Sequence, residues 1–399
     1  VRDEAADRLL QRLLGGDFFF WSPGVQSDAF LSWDRIYATR DIPRGVARPW
    51  PRADRELDLT FTHRDVEYTV DDLIRWEFLS GLLVVHDGRI HLERYARGLE
   101  AHRHWQSSSM VKSLASILVG AAIQDGAIGS VDEHVVDHLP ELRSTAYDGV
   151  TIRHLLQMSS GIGWVENTAD HRSDIHQHYM RPIAAREAGH TLSYLATIAR
   201  TEEPGTRFSY SSADSYLLGR VLARATGRSI AQYCGEKLWM PLGCERDGYL
   251  LLDADDGAEV MGSSAGATLR DYARWGELML ADGVIDGSRI LPEGWVAEST
   301  APTSPQFEPL FPGVSGYGYQ WWTCDDGSFQ ARGACGQWLH VDPVNRTIVV
   351  LLGAIPRSWY LSPEEADLHR DSSHTGSMMR SDFIRAATRA LSTPGQRGS

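Results

Sequence analysis

Two apolar runs at opposite ends of the chain set its layout. Gly81-Leu82-Leu83-Val84-Val85-His86 is followed by the turn pair Asp87-Gly88 and by Arg89-Ile90-His91-Leu92-Glu93-Arg94-Tyr95, which is a hairpin signature. The return strand alternates apolar and polar residues, so one of its faces is expected to be wet. Far downstream, Thr347 to Leu352 is continuously apolar and predicts a central strand. Three strand signatures precede it: Tyr317 to Cys324, Ser328 to Cys335, and Trp338 to Val341. Asp325-Asp326-Gly327 and Asp342-Pro343-Val344-Asn345 supply the turns. From about residue 125 to 250 the pattern is mostly helical, with helices expected over Thr151–Met158, Tyr194–Arg200, Ser215–Thr226 and Ile230–Trp239. Leu269–Met279 with Thr268 as N-cap, and a closing Phe383–Leu391, are two more. Strands, helices, strands and a helix in that order predict an α+β fold. The early hairpin and late strands would share one antiparallel sheet, flanked by helices, with the helical block as an insertion. Residues 1–120 and 255–399 then form an α/β domain, residues 121–254 a mostly helical one, and the cleft between them is the expected site.

The N-terminal stretch is less regular. A helix is expected from Ala5 to Leu14, then an aromatic turn, Phe18-Phe19-Phe20-Trp21. Residues 25–75, rich in Arg, Asp and Pro, read as an extended surface segment with short elements, and Val70–Trp76 as a short helix. A net charge of −14 disfavours nucleic acid and anionic membrane as partners. The four cysteines, Cys234, Cys244, Cys324 and Cys335, form no Cys-x-x-Cys pair and suit a reducing compartment. No apolar run is long enough to span a bilayer, and Val1-Arg2-Asp3-Glu4 opens no leader pattern, so a cytoplasmic protein is expected. The oligomeric state is open, with a homodimer among the options. Thirteen tryptophans suggest either core packing or an aromatic pocket for an apolar substrate.

Chemistry enters at Ser107-Ser108-Ser109-Met110-Val111-Lys112-Ser113, just before the apolar helix Leu114–Ile123. Ser109 and Lys112 are three apart and share a helical face. Lys112 is the only charged residue between Arg103 and Asp125, so it is expected near the core. Burial lowers an amine's pKa, and a neutral amine can take a serine proton. The plain alternative is an N-cap serine with a solvated lysine. A nucleophile also needs an acid for the leaving group and an oxyanion hole. Tyr210 in Phe208-Ser209-Tyr210-Ser211-Ser212 is a candidate proton relay, against the alternative of a half-buried loop tyrosine. Arg332-Gly333-Ala334-Cys335-Gly336-Gln337 ends a strand on glycines, which permits close approach of a ligand or simply a β-bulge. The N–H groups of Ser109 and Ala334 are the candidate oxyanion donors.

Ser109-x-x-Lys112, Tyr210-x-Ser212 and Gly333-Ala334-Cys335-Gly336-Gln337, in this order, resemble the three motifs of the serine β-lactamase and penicillin-binding-protein superfamily. The resemblance runs from about residue 75 to 355. It is closest to class C β-lactamase-like esterases and amidases, notably 6-aminohexanoate-dimer (nylon oligomer) hydrolases and family VIII-type esterases. His154 through Ile162, Tyr210 through Gly219, and Ala267-Thr268-Leu269-Arg270-Asp271 carry it further. It implies a β-lactamase/transpeptidase-like fold and an acyl-enzyme mechanism: Ser109 attacks, Lys112 is the base, Tyr210 relays a proton, and the Ser109 and Ala334 amides hold the oxyanion. It places Trp164, Glu166 and Thr168 at the cleft mouth as substrate-binding candidates. Ser212, Gly333, Cys335 and Gln337 join them. Tyr-x-Asn is replaced by Tyr210-Ser211-Ser212, and Lys-Thr-Gly by Gly333-Ala334-Cys335, so efficient β-lactam hydrolysis is not expected. Asp170, His171, Asp174, His176 and His178 are metal ligands by type. The superfamily uses none, so no metal or cofactor is expected. Cys335 lacks a positioned histidine and is not expected to be a nucleophile.

The substrate class expected is a small ester or amide. Rival readings keep the acyl-enzyme: a transacylase handing the acyl group to an amine or alcohol, a D-aminopeptidase or D,D-peptidase, or a penicillin sensor that never turns over.

Overall fold

The two apolar runs pair with each other. Thr347–Gly353 lies antiparallel to Leu79–His86, with Val349 opposite Val84 and Leu351 opposite Leu82. In the computed structural model, which describes residues 18–310, 313–355 and 378–392, they are the inner strands of a seven-stranded antiparallel sheet. We label its strands in chain order: β1 Leu79–His86, β2 Arg89–Tyr95, β3 Gly316–Tyr317, β4 Trp322–Thr323, β5 Phe329–Gly333, β6 Gln337–Asp342 and β7 Thr347–Gly353. The spatial order is β3-β4-β5-β6-β7-β1-β2. Helices cover both faces, which explains why β1 and β7 are continuously apolar rather than alternating. Leu82, Val84, Val349 and Leu351 pack with Leu73, Phe383 and Ala387 on one side. Leu83, Val85, Ile348 and Val350 join the main core on the other.

Five helices matter for the site: α1 Val70–Trp76, α2 Val111–Gln124, α3 Ser212–Thr226, α4 Leu269–Leu280 and α5 Met378–Ser392. Thr69 caps α1 through a reciprocal bond with Asp72, and Thr268 caps α4 by accepting from the Asp271 N–H. Helix α4 packs on β6, β7 and β1; α5 and α1 sit on the opposite face. Helix α2 is buried from Val111 through Ala122 and packs against α3. Among the described residues, every regular element from α2 to Leu242 is helical.

Four expectations change. The surface reading of residues 25–75 holds only for the second half, where residues 51–72 are mostly exposed; in the first half Phe30, Trp33, Ile36, Tyr37, Ile42 and Trp50 are buried in the main core. Thr39–Ile42 joins a second, four-stranded antiparallel sheet with Gly248–Leu251, Ala265–Ala267 and Trp105–Gln106. Tyr317–Cys324 is not one strand but the tight pair β3 and β4, turned by Gly318–Trp321 with Gln320 at φ 61°. The helix expected over Tyr194–Arg200 lies earlier, at His190–Leu195, entered through Gly189 at φ 70°. The helix expected over Ala5–Leu14 falls outside the described residues.

Candidate active site

The second sheet positions the serine turn. Trp105-Gln106 pairs with Ala265–Ala267, and Ser107 continues the pairing: its N–H donates to Ala265 O and its Oγ accepts from Ala265 N, both at 2.8 Å. Ser108 then takes a left-handed conformation, φ 45°, held by the Gln106 side chain. This bend delivers Ser109 into a single 3₁₀ turn, Ser108–Met110, that runs straight into α2. One turn on, Lys112 is 2% exposed. Its Nζ donates to Ser109 Oγ at 3.1 Å, to Ser212 Oγ at 3.0 Å and to the carbonyl of Gly262. Burial pushes this amine down to about 8, with the Glu166 carboxylate pulling it back up.

Tyr210 and Ser212 come from the loop that opens α3. Ser211 caps the helix by accepting from Asp214 N at 3.1 Å, and its own N–H meets Met158 Sδ at 3.3 Å. The Tyr210 ring stacks on Trp322 with centroids 5.5 Å apart, and Lys112 Nζ lies 5.3 Å from its centroid. Burial raises the Tyr210 hydroxyl pKa, helped by Glu166; a hydrogen bond with Ser109 opposes it. Ser212 donates from Oγ to Glu166 Oε1 at 2.6 Å and from N–H to Oε2 at 3.0 Å, while Trp164 Nε1 also donates to this carboxylate. Glu166 therefore anchors Ser212, which in turn accepts from Lys112.

Ser109, Tyr210, Ser212, Glu166, Thr168 and Ala334 all line one cavity of about 330 Å³. Its apolar wall comes from Phe18, Phe19, Ile175, Met180, Leu310 and Trp322. The remaining substrate-binding candidates do not line it. Trp164 is buried and serves Glu166. Gln337 is fully buried, its amide spent on Trp105, Ala334 and Gly353. Cys335 is buried at φ 61°, with Gln26 Nε2 3.3 Å from its Sγ. Gly333 is glycine because the serine turn presses on it: a Cβ there would lie 2.2 Å from Ser107 O. The close approach expected of a ligand is made by the chain itself, and the next residue, Ala334, lines the same cavity as Ser109.

Several contributors were not foreseen from the sequence, among them the Gly262 carbonyl, Phe18, Phe19 and the wall residues Ile175, Met180, Leu310 and Trp322. The Gly262 carbonyl had no signal at all. Phe18 and Phe19 had one, the three consecutive phenylalanines, but nothing local ties an aromatic turn to a cavity 90 residues away in sequence. The polar loop resolves into structural contacts: Asp170 pairs with Arg172, and Asp174 accepts from Val165 N and Tyr194 OH, each at 2.8 Å. Among the described residues no group of three or more His, Cys, Asp or Glu is placed to hold a metal ion.

A sequence model of the beta-lactamase family matches residues 80–358. The chain belongs to the beta-lactamase family. Within it, the chain is 29% identical over 297 residues to a 6-aminohexanoate-dimer hydrolase of Paenarthrobacter ureafaciens, covering 70% of this chain and 75% of that one. Esterase EstB of Burkholderia gladioli is 28% identical over 211 residues, covering 49% and 53%. The fold also matches the structure of a Bacillus anthracis protein assigned as a 6-aminohexanoate-dimer hydrolase, with TM-score 0.76 and 20% identity over 92% of this chain and 95% of that one. The α+β, β-lactamase/transpeptidase-like architecture is thereby established, and the chain is a hydrolase-type enzyme of this superfamily. No helix among its described residues is long and apolar enough to cross a membrane.

This beta-lactamase-family site contains a buried carboxyl behind the tyrosine loop. Asp214 is fully buried and accepts from Ser160 Oγ at 2.7 Å; desolvation pushes it up to about 8 against that hydrogen bond. Its folded pKa lies above the unfolded value of 3.8. The stability it allows is complete below pH 4 and is lost as pH rises toward 8. Asp214→Asn is therefore expected to remove much of this pH dependence. Melting curves at pH 5 and pH 8 check it: the wild type should lose more stability between the two than the variant.

Proposed function

We propose that the chain is a serine hydrolase that cleaves carboxylic esters or small amides through an acyl-enzyme on Ser109. One observation carries this: a buried amine, lowered to about 8, stands 3.1 Å from Ser109 Oγ beside a largely apolar cavity. In the proposed mechanism Lys112, in its neutral form, takes the Ser109 proton as Oγ attacks the substrate carbonyl carbon. Negative charge gathers on the carbonyl oxygen, between the N–H groups of Ser109 and Ala334. Tyr210, beside both Ser109 and Lys112, passes a proton to the leaving oxygen or nitrogen as its bond to the acyl carbon breaks. Water then attacks the acyl-enzyme, the same groups carry the proton back, and Ser109 is freed with a carboxylic acid.

Substrate class follows from the wall and the relatives. The cavity wall offers phenylalanine, isoleucine, methionine and leucine, which favours an uncharged acyl chain packed against it. The names of the relatives supply an amide-cleaving and an ester-cleaving precedent. The departures from Tyr-x-Asn and Lys-Thr-Gly leave a β-lactam without the groups that hold its side chain and carboxylate, as read from the motif resemblance. Four free cysteines support a cytoplasmic setting.

The test is turnover of p-nitrophenyl esters of increasing acyl length. Catalytic release with an optimum length supports the hydrolase. A stable adduct with little release until an amine or alcohol is added would replace it with a transacylase. Phe19→Ala enlarges the cavity wall and is expected to move the optimum to longer acyl chains, raising kcat/KM for the longest ester by about 10-fold relative to the shortest. An unchanged length profile would remove Phe19 from the acyl wall.

A further inference from the structure

The turn Ala334-Cys335-Gly336 joins β5 to β6 and carries the Ala334 amide assigned above to the oxyanion. Each of its carbonyls is held by a donor from elsewhere. Gln337 Nε2 reaches Ala334 O at 3.1 Å, Ile355 N reaches Cys335 O at 3.0 Å, and Arg380 Nη1 donates to Gly336 O. Gly336 takes φ 90°, which glycine adopts freely, but Cys335 takes φ 61°, a conformation that a residue with a side chain keeps only where the surroundings hold it. Gln337 is itself pinned, its Oε1 accepting from Trp105 Nε1 at 2.8 Å and Gly353 N at 3.1 Å.

Arg380 lies in the first turn of α5 and is 0% exposed. Its Nε donates to Glu77 Oε2 at 2.7 Å, and its Nη2 to Glu77 O at 2.9 Å; Glu77 is 1% exposed. Gly336 fits against it with no room to spare: a Cβ there would lie 2.6 Å from both Arg380 Nη1 and Nη2. A buried ion pair contributes little net stability, because desolvating two charges offsets their attraction. Its strength is geometric. A planar guanidinium can hold a carboxylate with one edge and a carbonyl with another, which a lysine cannot.

We propose that the Glu77–Arg380 pair is a positioning device for the oxyanion side of the site. It clamps the Ala334–Gly336 turn so that the Ala334 N–H is aimed before substrate arrives. Neither residue lines the cavity, so both act through the turn. The proposal rests on the reading of Ser109 as nucleophile and Ala334 as oxyanion donor.

The experiment compares wild type with two variants. Glu77→Leu/Arg380→Met replaces the pair by apolar side chains of similar length, a change that buried pairs tolerate. Gly336→Ala keeps the pair and pushes the turn off it. For every variant that melts cooperatively, kcat is expected to fall about 10- to 100-fold, with KM within about twofold. The Ki of phenylboronic acid, whose serine adduct places an oxygen where the oxyanion forms, should rise by the factor by which kcat/KM falls. Wild-type kcat in either folded variant overturns the proposal. So does a fall in kcat with an unchanged boronate Ki, which marks lost active enzyme rather than a misaimed donor. Ser109→Ala serves as the control. If it turns over like wild type, the nucleophile reading fails and the clamp fails with it; if it is inactive while the double variant is fully active, the clamp alone fails.

Discussion

Ser109→Ala is expected to lower kcat/KM for any turned-over ester by about 10⁴-fold or more while leaving the fold intact. The size of the loss follows from the site. Ser109 is the hydroxyl held by Lys112, and it belongs to the Ser108–Met110 turn that opens into the cavity. Ser212 also touches Lys112, but its Oγ is engaged by Glu166. It is not placed to substitute as nucleophile. The fold should survive because alanine removes one oxygen at the edge of a cavity and leaves the Ser107–Ala265 and Gln106–Ser108 bonds that shape the turn. Steady-state kinetics beside circular dichroism separates the two effects.

The second large effect is on Lys112. Its amine must be neutral to accept a proton, and burial sets that transition at about 8. Below that value the neutral fraction falls about tenfold per pH unit, so log kcat/KM should rise with slope near one and flatten above pH 8. The sign is fixed: activity is lost on acidification, not gained. The groups facing Lys112 are Ser109, Ser212 and the Gly262 carbonyl, with the Tyr210 ring nearby and Glu166 one bond further. Glu166 pulls the amine up and burial pulls it down, and burial prevails. Lys112→Met is expected to cut kcat/KM about 10³-fold and to abolish the acidic limb near pH 8. A flat profile in the wild type from pH 6 to 9 would remove Lys112 as the base.

How much of this was legible in the sequence depended on whether the signal was local. Asp87-Gly88 between two strand patterns gave the β1–β2 hairpin directly, and the apolar run of Thr347–Leu352 gave β7 as an inner strand. The burial of Lys112 followed from the lack of any other charge around it, and Thr268 announced its own helix. What escaped is made by contacts between distant stretches. The second sheet assembles strands of two to four residues from four places in the chain, too short for a period to show. Phe18 and Phe19 reach the cavity only because residues 18–50 pack into the core rather than over its surface. Gly333 and Gln337 carried recognisable motif positions, yet one makes room for the serine turn and the other ties buried backbone, which spacing alone cannot distinguish from touching a ligand.

The central claim is a covalent acyl-enzyme on Ser109, and rapid acid quench followed by intact-mass and peptide mass spectrometry measures it most directly. With a slow p-nitrophenyl ester, the account predicts one acyl group per chain, located on the peptide containing Ser109 and absent from Ser109→Ala. An adduct of the same mass on Cys335 or any other residue, or one that persists in Ser109→Ala, would contradict it.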